Sequence, residues 1–305
     1  MKKIILGLLF FTTPFVFAQE LDAPFSPVRT YADIVSMMNR IHQNHPDTTE
    51  VFTLGNSPDG TPVYGVKITD PHAPRPVENL VVATHHGNEY GSTEVALAFM
   101  QRISEQPLSG QTLYVIPVLN TWGYDRNQRT ERDGEGHMVD PNRDYPGPCK
   151  RETRFHLSNT ESLARFIAER NIVNVATLHT YAELVLYPWG ISTDDVDTRY
   201  TPQFVQMGNA AASVSHYQVG NSTAALYPAD GTFEDFVFWR HGIWSLLFEM
   251  GRTHSPDAGQ LQQLIADNVP GLIQMFKEAP RERAPLHSFE GHCYGFENLL
   301  DLKNE

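Results

Sequence analysis

Leu80-Val81-Val82-Ala83-Thr84-His85-His86-Gly87-Asn88-Glu89 opens as an apolar run with two valines, too short for a helix, and ends in a polar loop. Ser92 to Ile103 follows with a helical period and helix-forming composition. The order is strand, loop, helix. It recurs downstream: Thr112 to Leu119 reads as a strand, Glu161 to Glu169 as a helix opened near Thr160, and Val173 to Leu178 as another apolar strand. Val185 to Tyr187 is a short strand stopped by Pro188, Pro202 to Val214 a helix, and Trp244 to Phe248 a buried strand. Gly259 to Phe276 closes the pattern as one helix, or two broken at Pro270. Upstream, Ile34, Met37, Met38 and Ile41 set a helical period over Tyr31 to His42, which Pro46 ends. Val51 to Leu54 and Tyr64 to Ile68 flank Asn56-Ser57-Pro58-Asp59-Gly60 and read as a hairpin. This alternation predicts an α/β fold, a single domain with a mixed, largely parallel twisted sheet and helices on both faces. In such sheets ligands sit at the carboxyl ends of the strands.

Residues 1–18 read as a signal peptide: Lys2 and Lys3, an apolar stretch from Ile4 to Phe17, and small residues around Ala18 placed for cleavage before Gln19. A membrane anchor is disfavoured, because Thr12, Thr13 and Pro14 interrupt the stretch and it falls short of the ~20 residues that span a bilayer. Residues 19–305 contain no Gly/Ser linker, repeat or low-complexity block and are expected to form one domain, exported to the periplasm or the extracellular space. After signal cleavage no membrane contact is expected, and the short stretch before the first helix suggests no zymogen. The net charge is -13, and loss of Lys2 and Lys3 makes the remainder more acidic still, which would repel a nucleic-acid backbone and disfavours it as partner. Cys149 and Cys293 are not spaced as a metal clip; a long-range disulfide and two separate buried thiols both remain open. Oligomeric state is not legible.

Three predicted strands end in informative polar residues: the Thr84 to Glu89 loop, His179-Thr180-Tyr181 after Leu178, and Glu249 after Leu247-Phe248. A hydrolytic zinc site takes three protein ligands of the His/His/carboxylate kind and leaves one position open. His86 and Glu89 supply two of these from one tight loop, with Gly87 allowing the bend. His85 has Asn88 at the same spacing and reads as packing or as support behind the ligands. His179 is the candidate third ligand. Glu249 ends a strand otherwise wholly apolar, where a carboxylate is costly to bury without a partner or a task.

Taken together, His86-Gly87-Asn88-Glu89, Asp140-Pro141-Asn142-Arg143, His179-Thr180-Tyr181 with Leu184 to Pro188, Tyr227 to Phe236, and Phe248-Glu249 resemble, in order, the zinc carboxypeptidases of the carboxypeptidase A and B type. The resemblance implies one zinc ion, Zn2+, per chain on His86, Glu89 and His179, and a peptide substrate with a free C-terminal carboxylate. It implies Glu249 as general base, which takes a proton from the attacking water and returns it to the leaving amine. Asn142 and Arg143 match the clamp for the terminal carboxylate. Asp140 matches the acceptor that fixes the tautomer of a ligating histidine, and Tyr227 the tyrosine that closes over the bound terminus. The oxyanion-stabilising arginine is assigned to Arg129, with Arg126 and Arg132 as alternatives, because the segment Asp133 to Met138 is lengthened.

By the same resemblance Glu234 falls at the floor of the terminal-residue pocket, which implies a preference for Lys, Arg or another amine-bearing residue such as diaminopimelate. A one-residue shift would instead turn Glu234 outward and leave Phe233 or Phe236 in the pocket. Rival functions are a zinc N-deacylase of the same superfamily, a periplasmic carboxypeptidase or amidase trimming cell-wall peptides, and a catalytically dead binding module. Retention of Asn142, Arg143 and Tyr227 argues against the first, and the presence of every ligand and of Glu249 against the last.

Overall fold

The computed structural model describes residues 29–294; the expected signal peptide, residues 1–18, lies outside them. Thr30 and Asp33 form a reciprocal capping box that opens α1 (Tyr31–Asn44). The hairpin follows as β1 (Thr49–Asn56) and β2 (Pro62–Thr69), antiparallel with Thr49 opposite Ile68. Next come β3 (Val77–Ala83), α2 (Tyr90–Glu105) and β4 (Gln111–Ile116). Short elements cross the carboxyl end of the sheet: α3 (Thr121–Tyr124), the two-residue strands β5 (Glu131–Arg132) and β6 (Met138–Val139), and a 3-10 turn at Pro141–Arg143. The chain continues through α4 (Ser158–Ala168), β7 (Ile172–His179), β8 (Leu184–Tyr187), α5 (Thr201–Ala211), β9 (Gln218–Asn221) and α6 (Ser222–Ala225). It closes with α7 (Phe233–His241), β10 (Trp244–Glu249) and α8 (Ala258–Glu278).

Eight strands form one sheet in the order β1-β2-β4-β3-β7-β10-β8-β9. The β4-β3-β7-β10 centre is parallel, as is β8-β9, while β1-β2, β2-β4 and β10-β8 are antiparallel. Period-2 alternation serves both faces: Val81 and Ala83 of β3 join the core under α1, α2, α5 and α8, whereas Leu80 and Val82 join the core under α4 and α7. The expected mixed α/β sheet with helices on both faces is the fold observed. Among the described residues no helix is long and apolar enough to cross a membrane.

Several boundaries differ from the sequence expectation. Strand β4 stops at Ile116 rather than Leu119, because Pro117 has no N–H for the ladder and its carbonyl instead accepts from Thr84 Oγ1 at 3.1 Å. Helix α4 opens at Ser158, not near Thr160, since the Asp144 carboxylate takes the Leu157 N–H and the Thr160 hydroxyl from outside the helix. Helix α8 runs unbroken through Pro270, with buried Leu264 before it and Leu272, Met275 and Phe276 after it on one packed stripe. Gly271 beside the proline lets that stripe close on α5, for a Cβ there would lie 2.0 Å from the Ala211 carbonyl oxygen. Cys149 and Cys293 form a disulfide with Cα atoms 5.3 Å apart, tying the loop before α4 to the C-terminal segment.

Candidate active site

The carboxyl ends of β3, β7 and β10 bring the sequence-selected residues together. Thr84 turns the chain out of β3 with φ 59, rare for a β-branched residue, and its hydroxyl is held by Ser92, Thr93 and the Pro117 carbonyl. The loop then lies flat on α3: a Cβ on Gly87 would stand 2.2 Å from the Gly123 carbonyl carbon, so glycine is required by close approach rather than by a special φ. His86 Nδ1 lies 2.7 Å from Glu89 Oε1, and His179 Nδ1 lies 3.0 Å from Glu89 Oε2. The two Nδ1 atoms are 3.1 Å apart, and all three side chains are buried. Glu249 ends β10 in register with His179 on the parallel neighbour β7. Burial, reinforced by the charge of Glu89, pushes the Glu249 carboxyl well above the usual carboxylate range.

Asp140 ties this cluster to the next motif. Its Oδ1 accepts from His86 Nε2 and from the Asn142 N–H, each at 2.9 Å, and its Oδ2 accepts from Arg129 Nε at 3.2 Å and Nη2 at 3.0 Å. Burial alone would raise the Asp140 carboxyl, but His86 and Arg129 hold it well below the usual range. Arg129 Nη1 also stands 3.7 Å from Glu89 Oε1. The other two arginines are elsewhere: Arg126 stacks on the Trp122 ring at 4.6 Å, and Arg132 lies against Gly136 in the β5–β6 turn.

Asn142 is buried and its Oδ1 accepts the Phe233 N–H at 2.9 Å, which fixes the amide. Arg143 donates to the Asn142 carbonyl at 2.7 Å and reaches the hydroxyl of half-exposed Tyr227 at 3.4 Å. Glu234 is 1% exposed in the first turn of α7, with Oε2 lacking a hydrogen-bond partner among the described residues. Its charge acts on both His179 and Glu249. Beside it, burial and the Glu234 charge push Asp235 up to about 8. Phe233 packs on His85 and Tyr145 at 5.2 and 5.1 Å, and Phe236 on Tyr145 at 5.4 Å, so both rings belong to the core. His85 stacks on His179 at 5.5 Å and bonds the Tyr145 hydroxyl at 3.0 Å.

The sequence profile of the zinc carboxypeptidases matches residues 34–271. The chain belongs to that family. Among relatives, a zinc carboxypeptidase of Saccharothrix mutabilis subsp. capreolus is 26% identical over 293 residues, covering 80% of this chain and 67% of the relative. Carboxypeptidase B of Astacus astacus is 24% identical over 251 residues, 70% of this chain and 82% of that one. In fold, bovine thrombin-activatable fibrinolysis inhibitor, solved with tick carboxypeptidase inhibitor, superposes with a TM-score of 0.72 at 18% identity, over 82% of this chain and 96% of that chain. This protein is a zinc metallocarboxypeptidase, a hydrolase of peptide bonds.

The donor set fits zinc. With Asp140 anionic, His86 carries its proton on Nε2 and turns the Nδ1 lone pair inward. A carboxylate and a second imidazole nitrogen face it at about hydrogen-bond distance, and every donor of the trio lies within 4.8 Å of the others. One cation shared by these buried atoms would satisfy all three at once, which is the His/His/carboxylate set of a hydrolytic zinc site. The sequence does not signal two supports of this zinc carboxypeptidase site: the left-handed backbone of Thr84, which aims the loop, and Lys150, whose ammonium donates to the Arg143 carbonyl at 2.5 Å.

Proposed function

We propose that the enzyme removes the C-terminal residue from peptides with a free terminal carboxylate, preferring a terminal residue that carries a cation. The observation that carries this reading is the packing of His86, Glu89 and His179 beside Glu249, with Arg143 and Tyr227 close together on the adjoining loops. His86, Glu89 and His179 would hold the zinc, which would supply a Lewis acid to polarise a carbonyl and acidify water. Glu249, whose carboxyl burial raises well above the usual carboxylate range, accepts the proton of the attacking water and returns it to the leaving amine. Arg129 stabilises the charge that develops on the carbonyl oxygen, with Asp140 orienting both it and His86. Asn142 and Arg143 receive the terminal carboxylate, and the exposed Tyr227 ring closes over it.

Burial of an unpartnered Glu234 oxygen, with Phe233 and Phe236 spent in the core, supports the acidic pocket floor over the apolar one. Lys, Arg and the second amine of diaminopimelate would each relieve that charge. The last keeps cell-wall peptides among the candidate substrates. The disulfide supports export to an oxidising compartment. Glu249→Gln tests the core of this reading: zinc content stays at one per chain while kcat falls by about 10²–10⁴. Wild-type turnover in that variant would remove Glu249 from the mechanism.

A further inference from the structure

Glu131 is wholly buried although it sits in a run of polar residues from Arg126 to Arg132. Among the described residues its hydrogen bonds reach none of the groups assigned above to substrate or metal. Its Oε2 accepts from Asn159 Nδ2 at 2.5 Å, and that amide also donates to the Leu119 carbonyl at 3.0 Å. Ser57, bonded to Thr121 at 2.7 Å, lies beside the carboxyl, and Oε1 has no partner of its own among the described residues. Burial pushes the carboxyl up to about 7, and the charges of Asp59 and Asp144 add to this. A group so costly to bury, in surroundings shaped for a polar side chain, holds something in place.

What it holds is the β5–β6 ribbon. Two residues a strand, with Glu131 opposite Val139, make a pair too short to persist in water unaided. One end of the ribbon is an exposed turn around Glu135 and His137; the other delivers Arg129, two residues before Glu131, and Asp140, next after Val139. Those two side chains meet there, and Arg129's own carbonyl takes the Asn120 amide at 3.3 Å and the Gly87 N–H at 3.4 Å.

We propose that Glu131 is a positioning residue for the reaction: its buried carboxyl docks the β5–β6 ribbon on Asn159 and so holds Arg129 and Asp140 in their mutual contact. This rests on the roles given above to Arg129 and Asp140. The test is steady-state kinetics of the zinc-loaded protein on a peptide with a free terminal Lys. The variants are Glu131→Ala, Glu131→Gln, Asn159→Ala, Arg129→Ala and the Glu131→Ala/Arg129→Ala double.

Glu131→Ala is expected to lower kcat by about tenfold or more with KM within about twofold, as loss of placement does. Glu131→Gln restores kcat to within about threefold, because its carbonyl still accepts from Asn159. In the Arg129→Ala background, removing Glu131 costs less than about twofold more, since both changes act through one group. If Glu131→Ala fails to fold, Asn159→Ala removes the same anchor from the other side and is expected to give the same kcat loss. Wild-type kcat in Glu131→Ala or in Asn159→Ala, no rescue by Gln, or losses that multiply with Arg129→Ala would overturn the proposal while leaving Arg129's role intact. Wild-type kcat in Arg129→Ala would instead refute that role, and this inference with it.

Discussion

His86 Nε2 and Asp140 Oδ1 stand 2.9 Å apart, and this one hydrogen bond decides which imidazole nitrogen faces the metal position. Asp140→Ala frees the tautomer and the ring. Zinc affinity is expected to fall about 10- to 100-fold, read by competition with a chelating dye. Unchanged affinity would show that Glu89 and the loop packing orient His86 without help.

Glu234 should set the terminal-residue preference. In wild type kcat/KM for a peptide ending in Lys exceeds that for one ending in Phe, and Glu234→Ala reverses the order. A desolvated pairing of opposite charges accounts for about 1.5–3 kcal/mol, a 10- to 100-fold change in the Lys/Phe ratio. A Phe preference that survives Glu234→Ala would refute the acidic floor.

The parts of the site that sit at strand ends were legible, because an apolar run followed by His or Glu is a one-dimensional signal. His179 and Glu249 are the last residues of β7 and β10, and His86 follows the end of β3 by three residues. Helix α7 was not legible: Phe233, Phe236, Val237 and Phe238 are buried together with Glu234 and Asp235, so no polar face repeats at helical spacing. Each strand of the β5–β6 ribbon is two residues long and reads as loop. Glu131 within it looks like any solvated acid, since only the fold brings Asn159 to it. The cysteine pairing likewise depends on two loops whose sequence separation is 144, which no local pattern reports.

Glu131 also predicts a pH effect on stability. Its folded pKa, about 7, lies above its ordinary value of 4.5. Between these values the folded state binds more protons than the unfolded one, so stability falls as pH rises through that window. The loss is roughly 3 kcal/mol when complete. Glu131→Gln has no such proton to lose; denaturant melts at pH 5 and pH 8 should show its stability relative to wild type rising with pH. A difference that is flat between the two pH values would mean that Glu131 stays ionised in the folded protein.

The central claim is that a free terminal carboxylate is captured next to a zinc-dependent hydrolytic centre. The most direct measurement is mass spectrometry of two zinc-loaded digests, one of a Lys-terminated peptide and one of the same peptide amidated, each repeated with chelator. The account predicts loss of the single terminal residue from the free peptide, at least about 100-fold slower loss from the amide, and none with chelator, because an Arg143 pairing of about 3 kcal/mol and the metal are both needed. Equal rates on the two peptides, cleavage within the chain, or full activity in chelator would contradict it.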